Sequence, residues 1–165
     1  MHRYGKTVSK KQNKALPVSN GMKLYLATDH AGFSLKESIK ALLLHEGHQV
    51  EDIGAHEFVA DDDYPDYVAL CAKKVAGEEG SLGIVFGGSG QGEAMVANRQ
   101  RGVRAVVYYG GSLDIVSLAR EHNDANILSL GARFVTREEA EEAVRLFLLI
   151  QFSEDERHMR RIAKF

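Results

Sequence analysis

Leu82-Gly83-Ile84-Val85-Phe86 runs without a break into Gly87-Gly88-Ser89-Gly90-Gln91-Gly92-Glu93. The first five residues are a short unbroken apolar run and read as a buried strand. The next seven hold four glycines and a serine. Glycine lets a backbone turn tightly and bring its N–H groups close to an anion. The loop ends in a carboxylate, Glu93, which would repel a bound phosphate. It suits a loop that stabilises a transient oxyanion while the carboxylate removes the proton that creates it.

Strand and helix signals alternate on both sides of this stretch. Lys23–Thr28 reads as a strand, followed by a helix over 34–46 with a Ser34/Glu37 capping box and a Gly47 stop. His48–Ile53 is a second strand, and Pro65 opens a helix through Ala76. The helix after the glycine loop extends to Asn98. Val103–Tyr108 and Ile127–Leu130 are further strands, separated by a helix that Gly110-Gly111-Ser112 opens and Asn123 stops. Thr136 and Glu139 cap another helix, and Ser153 and Glu156 begin a short last one. This order predicts an α/β, three-layer α/β/α Rossmann-like fold with a five-stranded parallel sheet.

The 165 residues suffice for one domain, expected over 22–165. Residues 1–21 carry Arg3, Lys6, Lys10, Lys11 and Lys14 with no acidic residue and no apolar periodicity, and read as a flexible basic extension. A net charge of −2 offers no basic field for nucleic acid. The strongest apolar stretch, Leu146–Ile150, is too short to span a bilayer. Cys71 is the single cysteine, which excludes an intrachain disulfide and suits a cytoplasmic protein. It falls among Val68, Ala69 and Val75 on a helix and reads as a core thiol.

Open α/β sheets bind ligands beyond the carboxyl ends of their strands. Three polar clusters lie just after strands: Asp29-His30-Ala31-Gly32, the glycine loop, and Gly131-Ala132-Arg133. His122-Asn123-Asp124 instead ends a helix, so topology does not place it with the others. Each cluster has a plainer reading: Asp29 as a helix cap, His122 as a partner of its helix dipole, Arg133 as a surface charge. Gly88-x-Gly90-x-Gly92 matches neither the dinucleotide fingerprint nor a Walker loop. Arg157 and Arg161, four residues apart, present two guanidinium groups on one helix face, as a phosphate dianion requires, or merely balance Glu154, Asp155 and Glu156. The run Asp61-Asp62-Asp63 has no His or Cys in ligand spacing and precedes a helix start, where negative charge is favoured.

Together these stretches resemble the ribose-5-phosphate isomerase type B family, which includes galactose-6-phosphate isomerase subunits. The matching segments are Asp29-His30-Ala31-Gly32, Asp63-Tyr64-Pro65, Gly87 to Glu93 with Ala97-Asn98, Arg120 to Asn126, and Arg157-His158 through Arg160-Arg161-Ile162. Many members of that family carry a cysteine base at the first loop position. Gly87 stands there, so the chain resembles the branch whose base is a glutamate at the loop's end, Glu93.

The resemblance implies reversible isomerisation of ribose 5-phosphate and ribulose 5-phosphate through an enediolate. It implies Glu93 as the base, His122 in ring opening, and Ser89 with Gly88, Gly90, Gln91 and Gly92 around the intermediate. Asp29 would fix a sugar hydroxyl and assist ring opening, and Asn123 would bind hydroxyls. His30, Arg133, Arg157 and Arg161 would hold the phosphate. It implies no metal or organic cofactor, and a homodimer or tetramer with shared sites. The alternatives left open are a hexose 6-phosphate substrate (allose or galactose) and a non-catalytic sugar-phosphate sensor. A receiver-like domain is disfavoured, because Asp29 stands without an acidic neighbour and Arg133 replaces the lysine such a domain needs.

Overall fold

The computed structural model describes residues 21–165; the extension expected over 1–21 lies, but for Gly21, outside the described residues. Five strands alternate with six helices: β1 (Lys23–Thr28), α1 (Phe33–His45), β2 (Gln49–Gly54), α2 (Tyr64–Gly77), β3 (Leu82–Gly87), α3 (Gln91–Ala97), β4 (Ala105–Tyr108), α4 (Asp114–Asn123), β5 (Ile127–Gly131), α5 (Arg137–Leu149) and α6 (Glu156–Ile162). All pairings are parallel, in the order β2-β1-β3-β5-β4.

Strand residues alternate between two buried layers, as the two-residue period of a pleated strand requires. Leu24, Leu26, Ile84, Phe86, Leu128 and Leu130 face one core with Ile39 and Leu43 of α1, Val116 of α4 and Phe147 of α5. Tyr25, Ala27, Val85 and Ile127 face the other, against Val68, Cys71, Ala72 and Val75 of α2 and Ala97 of α3. Helices therefore cover both faces, as the alternating sequence signals predict. Burial pushes the Cys71 thiol up to about 12, which makes it an inert core group.

The chain leaves β1 for β2 on one side and returns to β3 on the other. The crevice where these directions part lies beyond the carboxyl ends of β1 and β3, with β5 alongside β3. The first and third polar clusters and the glycine loop are thereby brought to one end of the sheet.

Several local details differ from the sequence reading. The Ser34/Glu37 capping box does not form. A short 3-10 turn over His30–Gly32 precedes α1, and the Asp29 side chain caps it by accepting from the Ala31 N–H at 2.9 Å. Glu37 is drawn instead to Lys36 and Lys40. Asp124, in the left-handed region at φ 46°, rather than Asn123, stops α4. β4 begins at Ala105, two residues later than expected, because Val103 and Arg104 stay outside the ladder as irregular chain after the Arg101–Gly102 turn, with the Arg104 N–H held by Asn126 Oδ1 at 2.8 Å. The Thr136/Glu139 capping box is present in full. Asp155, not Ser153, is the residue ahead of α6.

Among the described residues, Lys36 is the largest fully buried side chain. Its ammonium donates to both oxygens of Asp52, at 2.7 and 2.6 Å, and to the Ala55 carbonyl at 2.7 Å. A buried cation needs such a shell of acceptors. The clamp fixes α1 to the end of β2, where the segment leading to Asp62 begins.

Candidate active site

The glycine loop follows β3 with Gly90 at φ 77°, a left-handed conformation that starts α3. The loop is tied down from β5. Ala132 and Arg133 N–H groups donate to the Gly87 and Gly88 carbonyls at 2.8 and 3.1 Å, and Ser129 Oγ donates to the Gly90 carbonyl at 2.6 Å. Ser89 Oγ accepts from the Gln91 N–H at 3.3 Å, closing the loop on itself. Amides in the first turn of a helix have no acceptor within that helix.

Glu93 lies in the first turn of α3 and is 4% exposed. Its carboxylate rests on the Gly87 main chain: a Cβ built on Gly87 would overlap Oε1, Cδ and Oε2. The Glu93 carboxylate therefore occupies the space that a side chain at position 87 would take. Burial pushes the Glu93 pKa up, the nearby Asp29 charge adds to the rise, and a main-chain hydrogen bond opposes it. A carboxylate tuned upward is a better proton acceptor near neutral pH than an ordinary one.

Asp29, His30, Tyr64, Gly88, Ser89, Gly92, Glu93 and Arg133 converge on a cleft of about 530 Å³, with Ala31 and Phe134 completing its walls. That volume falls in the range typical of small-molecule sites, roughly 300–1,000 Å³. The Arg133 guanidinium lies over Gly88, where a Cβ would stand 3.3 Å from Cζ. Asp29 proves to be both a cap and a cleft residue, so its two readings are compatible. A second cleft, also of about 530 Å³, involves Arg104, Arg120 and Asp124 near the start of β5, but there the charges already pair with one another.

His122, Asn123, Arg157 and Arg161 are not in the cleft. His122 and Asn123 end α4 shortly before β5, whereas Arg133 lies just beyond its far end. A strand of this length holds the two groups apart by over ~10 Å at about 3.3 Å per residue. His122 stacks on His158 of α6, with ring centroids 4.3 Å apart and planes 12° from parallel. Arg157 and Arg161 are exposed on the same short helix. One chain thus carries two separate groups of candidate residues, with Glu93 and the loop on one end and imidazole and arginines on the other.

Two features, one lining the cleft and one behind its His30 wall, escaped the sequence reading. Tyr64 at the start of α2 places its hydroxyl 2.5 Å from where a Gly92 Cβ would stand, so Gly92 must lack a side chain. The residue was visible only as part of the Asp63-Tyr64-Pro65 match. Asp62 belongs to the acidic run read as a helix-start feature, yet its Oδ1 accepts from both the main-chain N–H and Nδ1–H of His30, at 2.8 and 2.9 Å. Nothing local in the sequence signals a bond spanning 32 residues. Asp29, His30 and Asp62 offer ligand atoms within 4.8 Å of one another, a spacing open to a cation. Two of those atoms, His30 Nδ1 and Asp62 Oδ1, already bond to each other.

Such a loop and buried carboxylate at the switch point of a doubly wound sheet form an arrangement suited to a small-molecule enzyme that handles a proton. The profile of the Ribose/Galactose Isomerase family matches residues 24–165. The chain is 43% identical over 143 residues to ribose-5-phosphate isomerase B of Mycobacterium tuberculosis, covering 87% of each chain. It is 39% identical over 140 residues to the Escherichia coli K12 protein of the same name, covering 85% of this chain and 91% of that one. A crystal structure of ribose-5-phosphate isomerase B from Mycoplasma genitalium with bound ribulose 5-phosphate superposes with a TM-score of 0.82 at 40% identity, over 87% of this chain and 93% of that one. The chain belongs to the ribose/galactose isomerase family.

Proposed function

We propose that the protein is an aldose–ketose isomerase that interconverts ribose 5-phosphate and ribulose 5-phosphate. The observation that carries this reading is the Glu93 carboxylate, buried against Gly87 and facing a cleft bordered by the glycine loop. In the open-chain aldose, Glu93 takes the proton from C2 as the C1 carbonyl becomes an enediolate oxygen. It returns the proton to C1 as the C2 hydroxyl passes its proton to the C1 oxygen and becomes the ketose carbonyl. Ser89 and the N–H groups near Gly90, Gln91 and Gly92 meet the developing negative charge, and one such preorganised donor contributes roughly 3 kcal/mol to the transition state. Holding the base against the carbon supplies the orientation effect that an ordinary carboxylate lacks in solution.

His122 moves the proton that opens the furanose ring, a task suited to imidazole. Asp29 and Asn123 hold sugar hydroxyls, and His30, Arg133, Arg157 and Arg161 hold the phosphate. The scheme requires no metal or organic cofactor. Since His122, Asn123, Arg157 and Arg161 lie apart from the cleft of their own chain, the site is completed by those residues of a second copy, in a homodimer or a tetramer of such pairs. The lone buried cysteine accords with a cytoplasmic enzyme.

The test is ketose formation by purified protein from ribose 5-phosphate, allose 6-phosphate and galactose 6-phosphate, with and without Glu93→Gln. The expected result is turnover of the pentose phosphate, abolished by the substitution while phosphate affinity persists. Undiminished turnover in Glu93→Gln would refute the base assignment. Preference for a hexose phosphate would move the substrate and leave the chemistry intact.

A further inference from the structure

His30 is held at two points by one oxygen. Its main-chain N–H and its Nδ1–H both donate to Asp62 Oδ1, at 2.8 and 2.9 Å. The Asp62 side chain is only 8% exposed, and its other oxygen is buried. Phe58, itself largely exposed, meets the imidazole edge-on, with centroids 6.3 Å apart. Because Nδ1 is committed to Asp62, Nε2 is the ring nitrogen left to meet a ligand in the cleft that His30 borders.

Resting on the isomerase reading, we infer that Asp62 is a positioning residue for the phosphate end of the substrate. It fixes the orientation of His30 and favours the doubly protonated ring, so that Nε2–H donates to a phosphate oxygen. The logic is that of an outer carboxylate that orients a working imidazole.

The charged and titratable surroundings act in one direction on balance. Asp29 on the same turn lies 3.9 Å from Nδ1, Asp62 comes from the segment before α2, Tyr64 and Tyr67 from α2, Glu93 from α3 and Arg133 from beyond β5. The Asp62 hydrogen bond raises the His30 pKa above its usual value, burial opposes, and the Asp29 charge adds to the rise. Burial works against ionised Asp62, but the His30 main-chain and ring hydrogen bonds outweigh it and hold that carboxyl below its usual range.

The experiment compares full-length wild type with Asp62→Asn from pH 6 to 9. It reads kcat and KM for ribose 5-phosphate, inhibition by inorganic phosphate, and the NMR titration of the His30 ring. Loss of a charged donor predicts that KM and the phosphate inhibition constant rise about tenfold at pH 8. The gap narrows toward pH 6, where His30 becomes increasingly protonated in the variant as well, and the His30 midpoint falls in the variant. A purely structural role for Asp62 would lower activity equally at every pH and leave the midpoint in place, and either result overturns the inference. If Asp62→Asn does not fold, the wild-type titration decides: a His30 midpoint at or below the ordinary ~6.5 refutes it. Absence of ribose 5-phosphate turnover by wild type defeats the isomerase reading instead, and the phosphate and NMR arms still report on Asp62.

Discussion

Gly87→Ala is the sharpest perturbation this site allows. Gly87 lies outside the positive-φ region, so alanine meets no backbone objection there. The added methyl would overlap the Glu93 carboxylate itself, whereas ordinary contact begins near 3.4 Å. The carboxylate must therefore retreat by well over ~1 Å, and a displacement of that size in a reacting group costs on the order of 10²-fold in rate. That corresponds to about 2.7 kcal/mol of transition-state stabilisation. The assay is steady-state conversion of ribose 5-phosphate, with circular dichroism to confirm that the variant is folded. The loss should fall on kcat, since no phosphate contact is disturbed. Gly88→Ala is the control: its methyl would meet only the far end of the flexible Arg133 side chain at 3.3 Å, so its effect should be small and confined to KM. A folded Gly87→Ala enzyme with wild-type kcat would show that the Glu93 position does not govern the chemistry.

Glu93→Gln should also be more stable than wild type at neutral pH. Burial raises the folded-state pKa of Glu93, so the folded protein loses stability as pH rises through the unfolded and then the folded value. Thermal melts should show the glutamine variant ahead at pH 7–8 and level with wild type below about pH 4, where both carry a neutral side chain. Arg157→Ala and Arg161→Ala remove exposed side chains, so the fold should be untouched while KM for the phosphorylated sugar rises about tenfold or more. Unchanged affinity in both variants would remove the arginine clamp from the scheme.

The layered fold was legible because its signals are local and repeat. Apolar runs such as Leu82–Phe86, the Pro65 helix start, the Gly47 stop and the Thr136/Glu139 box all depend on near neighbours in the chain. The same locality gathered Asp29, the glycine loop and Arg133 at one end of the sheet, since each follows a strand. Other features were hidden because they are long-range. Lys36 sits within an otherwise apolar helix stripe, and only the arrival of Asp52 and Ala55 makes its burial tolerable. The Ser34/Glu37 box was a sound local option that lost to lysine partners and to the Asp29-capped turn. Asp62 looked like helix-start charge until the fold carried it to His30. Gly87 read as one more loop glycine, although its missing side chain is what makes room for the Glu93 carboxylate.

The separation of His122 from Glu93 by the length of β5 has a genetic corollary. On the proposed two-chain centre, two chains, each crippled in a different half, would rescue one another. A Glu93→Gln chain and a His122→Ala chain would both be inert alone, but a mixed pair would rebuild one intact centre from the undamaged half of each. Random reassortment into twofold pairs would restore about a quarter of the wild-type centres. Two defective alleles in one cell could then support growth that neither sustains by itself.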